Sequence, residues 1–152
     1  MTTVVAKLLN IVRPHKAFFG QKDYQQAVVL TRLVKDLNFA TDIVMRPTVR
    51  EADGLALSSR NAFLSSEERK AAAVLYQALS AARDAIRRGE QSARRVQVVM
   101  TRLIRKEPLA RLDYAAVAHP TTLQEVPMVQ GRVVLLAAAW IGKTRLIDNL
   151  VV

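Results

Sequence analysis

The sequence predicts an α/β fold in two parts, a parallel-sheet segment followed by a small α+β segment of two helices on an antiparallel sheet. Three observations predict it. Helical and strand periods alternate from Thr3 to Met45, the rhythm of parallel strands joined by helices. That rhythm stops at a polar stretch, Arg50 to Asn61, which marks a boundary between the parts. Beyond it come two amphipathic helices, and from Leu112 the period changes to that of strands.

The first helix takes Thr3 as its cap, places Val4, Val5, Leu8, Leu9, Ile11 and Val12 at three- and four-residue spacings, and ends at Pro14. Ala17-Phe18-Phe19 reads as a short buried strand running into Gly20. Asp23 followed by Gln26 is a variant capping box for the next helix, whose inner face is Ala27, Leu30, Leu33, Val34 and Leu37, with Asn38 closing it. Asp42 to Met45 is the following strand. After the polar stretch, Ser65 and Glu68 form a Ser-x-x-Glu capping box opening one long helix with Ala71, Leu75, Ala78, Leu79, Ala82 and Ile86 inward, ended by Gly89. Ser92 caps another, with Val96, Val99, Met100, Leu103 and Ile104 inward and Pro108 beyond its end. Strands follow at Leu112–Ala118, at the apolar run Val133–Trp140 within Arg132–Ile141 (buried on both faces) and at Thr144–Asn149, the last returning through Gly142.

The 152 residues, 51% hydrophobic, are ample for a packed core, and the net charge of +10 points to acidic partners, either nucleic acid or anionic small molecules. Aromatics are 5% and the cations lack aromatic interleaving, which disfavours a single-strand binding platform. Most arginines from Arg83 to Arg105 read as the wet side of amphipathic helices. There is no cysteine, and His15 and His119 stand alone, so no protein-held metal site is expected. The apolar start is broken by Lys7 and Asn10, so it is neither a secretion signal nor a membrane span. Gly142-Lys143-Thr144 looks like the end of a P-loop, but the first glycine would fall at Ala137 inside an apolar run, so a turn between strands is expected. His119-Pro120 reads as another turn.

Two stretches carry chemistry. In Phe18 to Gln26, a strand ending at Gly20 runs straight into a helix start, bringing unpaired N–H groups and the positive end of the helix dipole together, with Lys22 adding a full charge. Strand-end crevices of open α/β sheets are where ligands bind. In Arg50 to Asn61, a flexible Gly54 precedes the hydroxyls of Ser58 and Ser59, the guanidinium of Arg60 and the amide of Asn61, groups suited to closing over a polyphosphate.

Phe19-Gly20-Gln21-Lys22-Asp23-Tyr24-Gln25-Gln26, followed by Arg50-Glu51-Ala52-Asp53-Gly54-Leu55-Ala56-Leu57-Ser58-Ser59-Arg60-Asn61, closely resembles the pantothenate synthetases, the pantoate–beta-alanine ligases of vitamin B5 synthesis. The resemblance runs over essentially the whole chain, including Val4-Val5-Ala6-Lys7-Leu8, Asp113-Tyr114 and Thr122-Leu123. It implies the end of a Rossmann-like nucleotide-binding domain at residues 1–49 and a C-terminal α+β lid domain at 50–152. It implies a cytoplasmic, adenylate-forming ligase that joins pantoate to beta-alanine with ATP and a phosphate-held Mg²⁺, is homodimeric in the full-length family, and has no nucleic-acid or membrane partner.

By the same resemblance Gly20, Gln21, Lys22, Asp23 and Val49 contact ATP. Leu57, Ser58, Ser59 and Arg60 match the second ATP motif, which is similar to the lysine-serine loop of class I aminoacyl-tRNA synthetases, and Gln26 matches the pantoate-binding glutamine. Lys22, Ser58, Ser59 and Arg60 are the groups expected to act in catalysis. The family's N-terminal part, with its His-x-Gly-His motif, has no counterpart in this sequence, so the chain reads as a C-terminal portion with little or no activity by itself. The alternatives are a basic nucleic-acid-binding module using the arginine-rich helices, and a structural or regulatory partner completing a separately encoded N-terminal half.

Overall fold

Alternating helical and strand periods produce alternating elements in the computed structural model, which describes residues 1–152. The chain divides into two units, Met1–Thr48 and Val49–Val152.

In the first unit, α1 spans Thr2–Val12, β1 Lys16–Gly20, α2 Tyr24–Asp36 and β2 Asp42–Arg46. The two strands are parallel, in register from Lys16 opposite Asp42 to Gly20 opposite Arg46. A parallel pair needs a crossover, and α2 supplies it. Asn38 closes α2 as expected. Its φ of 53° is left-handed, and the N–H groups of Asn38 and Phe39 donate to the carbonyls of Lys35 (3.3 Å) and Val34 (3.0 Å), a Schellman end.

Three local expectations fail here. Helix α1 begins at Thr2 after Met1 with no side-chain cap, so Thr3 lies inside its first turn. Asp23 precedes α2 but makes no capping hydrogen bond, because the chain first winds through a 3-10 turn, Gln21–Asp23. Burial is also thinner than the pattern implied. Leu9, Tyr24, Ala27 and Leu30 are buried, but Val4, Leu8, Ile11, Val12, Phe18 and Leu37 are each more than half exposed. The apolar positions of α1 share one face, and Leu9, at the edge of that face, is the one that is buried.

In the second unit the helices are α3 (Ser66–Ala72), α4 (Val74–Arg87) and α5 (Ala93–Lys106), and the strands are β3 (Ala110–Ala118), β4 (Val134–Ile141) and β5 (Thr144–Val151). The Ser65–Glu68 capping box forms with both reciprocal bonds. The single long helix expected after it is interrupted at Ala73, which separates α3 from α4. Gly89, at φ 97°, ends α4 with bonds from its own N–H to Ile86 O (2.9 Å) and from Glu90 N–H to Ala85 O (3.0 Å). Ser92 caps α5 through Arg95 N–H.

The strands form an antiparallel sheet in the order β3-β4-β5. The sheet packs α4 and α5 on one face, where Leu75, Ala78, Leu79, Ala82, Val96, Met100 and Ile104 meet Ala115, Val117, Leu135, Ala137, Ala139 and Ile141. Alanines on both sides let helix and sheet approach closely, while leucines and Met100 fill the remainder. Gly142-Lys143 is the two-residue turn of the β4–β5 hairpin, closed by Ile141 opposite Thr144, with Gly142 at φ 54°. His119 is likewise a turn residue: its Nδ1 accepts from the N–H groups of Thr121 (3.2 Å) and Thr122 (3.3 Å). No helix is long and apolar enough to cross a membrane.

Candidate functional site

Residues 49–57 fold as a tight hairpin. Arg50 bridges Ala56, Leu57 N–H donates to Val49 O at 2.9 Å, Glu51 N–H to Leu55 O at 2.9 Å and Gly54 N–H to Glu51 O at 2.9 Å. With Gly54 at φ 90°, this is a turn followed by a left-handed glycine, a common short-hairpin solution. It brings Val49 and Leu57 side by side at the hairpin base, both with exposed side chains.

The flexible Gly54 expected from the sequence is instead a packing glycine. A Cβ there would lie 1.9 Å from Tyr76 Cδ1. Tyr76 in turn carries the Arg50 guanidinium, 4.3 Å from its ring centroid. Arg50 pairs with Asp148 of β5 through two bonds of 2.6 and 2.9 Å, and also donates to Gly54 O (2.9 Å) and Asn149 O (3.2 Å). The other side of the hairpin is held by Arg69 of α3, which reaches Glu51 (2.6 Å) and Asp53 (2.6 and 3.1 Å). Those bonds hold the Asp53 carboxyl below the usual carboxylate range, with the Leu55 N–H helping, and raise the Arg69 guanidinium further.

From this anchored base the chain turns outward. Ser58 caps the 3-10 turn Ser59–Phe63, its Oγ accepting from Arg60 N–H at 3.3 Å. Asn61 Nδ2 donates to Ala56 O at 3.1 Å, tying the turn back to the hairpin. Ser59 and Arg60 are exposed, and Arg60 has no salt bridge. It lines a recess with Phe63, Lys143, Thr144 and Arg145. Thus Val49, Leu57, Ser58, Ser59 and Arg60 lie along one continuous ledge of the second unit.

In the first unit, Gly20 ends β1, Gln21, Lys22 and Asp23 form the 3-10 turn, and Gln26 lies in the first turn of α2. Gly20 has an ordinary φ of −74° and a Cβ there would meet nothing within 4 Å, so the fold of this chain gives no reason for a glycine. Asp23 is exposed, Lys22 and Gln26 partly buried. Arg46, overlooked in the sequence, is paired with Gly20 at the same strand end, its guanidinium 5.3 Å from the Phe18 ring centroid. Asp148 was also overlooked. A signal existed, since it occupies an inward position of β5 two residues after buried Leu146, and a buried carboxylate requires a partner.

Comparison with known proteins decides what this arrangement belongs to. A family model described as pantoate-beta-alanine ligase matches residues 1–151. The chain belongs to that family. It is 52% identical over 151 residues to the pantothenate synthetase of Moorella thermoacetica, covering 99% of this chain and 53% of the relative. It is 51% identical over 152 residues to that of Herpetosiphon aurantiacus, covering 99% and 55%. The crystal structure of pantothenate synthetase from Thermus thermophilus superposes with a TM-score of 0.94 at 45% identity, over 98% of this chain and 54% of that one. Pantoate-beta-alanine ligase from Francisella tularensis, complexed with beta-gamma ATP and beta-alanine, gives 0.66 at 33% identity, over 98% and 48%. This member of the pantoate-beta-alanine ligase family therefore spans about half the length of the relatives it matches.

Proposed function

We propose that the chain supplies substrate contacts of a pantoate–beta-alanine ligase. A pantoate carboxylate oxygen attacks the α-phosphorus of ATP, and pyrophosphate leaves with the electron pair of the broken P–O bond. The neutral beta-alanine amine then attacks the acyl carbon and loses a proton to solvent, and AMP leaves with the electron pair of the broken C–O bond, giving pantothenate. Gly20, Gln21, Lys22, Asp23 and Val49 are read as ATP contacts, as are Leu57, Ser58, Ser59 and Arg60, and Gln26 as the pantoate contact. Charge grows on the phosphates as the P–O bond breaks, so Lys22, Arg60 and the two hydroxyls lower the barrier by stabilising that charge more than they stabilise the ground state. The ATP phosphates would hold any Mg²⁺, which would supply further positive charge to them. No three carboxylates or imidazoles of this chain cluster as a metal site, so the chain's own contribution rests on cations and hydroxyls.

The observation that carries this reading is Arg60, a guanidinium without a carboxylate, standing beside two hydroxyls on an anchored ledge in a chain that matches the family model over residues 1–151. Gly20 adds support, because its missing side chain has no packing reason. Titration with ATP is the test. Lys22→Ala and Arg60→Ala should each weaken binding about tenfold or more with unfolding unchanged, and undiminished affinity in both variants overturns the assignment. Because the sequence holds no His-x-Gly-His, the chain by itself should form little or no pantothenate from ATP, pantoate and beta-alanine. Robust formation in a preparation free of host enzyme would contradict that part.

A further inference from the structure

The Gly142-Lys143-Thr144 turn fails as a P-loop, yet it stands beside Arg60. The recess there, about 450 Å³, is lined by Arg60 and Phe63 from the 3-10 turn and by Lys143, Thr144 and Arg145 from the β4–β5 hairpin. Arg145 is paired with Asp113 at 2.7 Å, whereas Arg60 and Lys143 take part in no salt bridge. The nearby counter-charges are therefore Asp113, already engaged, and Glu68. Glu68 gives one oxygen to Ser65 N–H at 2.9 Å, and its other oxygen would lie 1.8 Å from a Cβ on Gly142. That places the Glu68 carboxylate, which also closes the capping box of α3, against the hairpin turn that carries Lys143.

Two cations without carboxylate partners, a hydroxyl from Thr144 and an exposed aromatic wall from Phe63 make a site for an anion of more than one charge. A single carboxylate would be satisfied by either cation alone. A diphosphate group engages both, with several charge-assisted hydrogen bonds.

We propose that Lys143, with Arg60, binds the pyrophosphate end of ATP, its β- and γ-phosphates, in this recess and stabilises the charge that end gains when it leaves. The inference rests on reading Leu57–Arg60 as an ATP contact and extends it to a residue on a different element. Lys143 touches the leaving group, and Gly142 lets the turn that carries it lie close against Glu68.

The experiment titrates the 152-residue chain with inorganic pyrophosphate, ATP and AMP by calorimetry, with amide shifts mapped by NMR. Pyrophosphate and ATP should shift Arg60, Lys143 and Thr144. Lys143→Ala should weaken pyrophosphate about tenfold or more while Lys143→Arg stays within about threefold, and AMP binding should not respond to either. Arg94→Ala, which removes an exposed cation from α5, should leave pyrophosphate affinity unchanged. If ATP binds with shifts at Ser58–Arg60 but Lys143→Ala has no effect, this inference fails and the ATP assignment stands. If Arg94→Ala weakens binding as much as Lys143→Ala, the attraction is general to a basic chain and the inference fails. If neither ATP nor pyrophosphate shifts the Leu57–Arg60 segment, both readings fall.

Discussion

The hairpin that presents Ser58 to Arg60 stands on the Arg50–Asp148 pair, and breaking that pair should be costly. Asp148 is only 2% exposed at its side chain and Arg50 16%. The two bonds between them are supplemented by Arg50 donating to the carbonyls of Gly54 and Asn149 and stacking on Tyr76. Arg50→Met keeps much of the stem packing but leaves a buried carboxylate with only the Asn149 N–H as donor, at 2.7 Å, and two carbonyls without their guanidinium. Removing one partner of a buried pair costs about 3–5 kcal/mol. For a unit of this size, Val49–Val152, that lowers the unfolding temperature by roughly 12 °C or more.

Asp148→Leu alone should cost a similar amount, and the double variant should cost distinctly less than the sum. Two apolar side chains no longer leave a charge stranded, so the unpaired carbonyls, at about 1–3 kcal/mol each, become the main loss. The assay is urea unfolding followed by the fluorescence of Trp140, the only tryptophan, which lies on β4 and so reports the second unit. A coupling energy of about 2 kcal/mol or more is expected. If Arg50→Met costs less than about 1 kcal/mol, the pair is behaving as a surface ion pair, and the argument that it anchors the hairpin is refuted.

Gly54→Ala should destabilise the second unit by about 2–4 kcal/mol, from left-handed backbone and from overpacking against Tyr76, whereas Gly20→Ala should destabilise nothing, adding up to about 1 kcal/mol to the first unit, and should weaken ATP binding. Matched destabilisation in the two glycine variants would undo that contrast. The lowered Asp53 pKa has a defined sign: the unfolded state binds its proton more readily, so the stabilisation is present at neutral pH and is lost as pH falls through the lowered folded value. Since Asp53 is 41% exposed, the effect is below about 1 kcal/mol after screening. Asp53→Asn should lower the urea midpoint at pH 7 and converge with the parent at strongly acidic pH, and a gap that widens in acid would reverse the assignment. Finally, Val4, Leu8 and Ile11, one exposed face of α1, should drive self-association. Leu8→Glu with Ile11→Glu should lower the scattering mass, and a strictly monomeric parent chain counts against this.

What could be read from the sequence was what local chemistry specifies. The Ser65–Glu68 box, the Ser92 cap, the Gly89 and Asn38 helix ends and the buried run through β4 each depend on residues within a turn of one another. Asp23 with Gln26 had the same spacing as a capping box and failed, because the 3-10 turn before α2 altered the entry angle of the chain. The anchoring of the Arg50–Asn61 stretch was not legible. Its key contacts cross 98 residues to Asp148 and 16 to 18 residues to Arg69, and no period or motif encodes such a meeting. The exposure of Phe18, read as part of a buried strand, and of Leu37, read as inward on α2, was not legible, because an apolar position states a preference for cover without saying that this chain provides it.

The same distinction separates the glycines, and with them fold from function. Gly54 and Gly142 are required by the chain itself: both have left-handed φ values, and a Cβ on either would strike Tyr76 or Glu68. Their presence is accounted for by folding, and a ligand need not be invoked. Gly20 has neither constraint, and glycine in a strand is a net cost to stability. A costly residue with no return inside the fold is what the proposed ATP contact would account for, since the C-terminal end of a parallel strand is where a ligand can approach the backbone closely. Asp23 follows the same logic, since its carboxylate stands at a helix start yet caps nothing. The residues that folding leaves unexplained in the first unit are thus among those that resemblance assigns to ATP, and that coincidence arises independently of the family match.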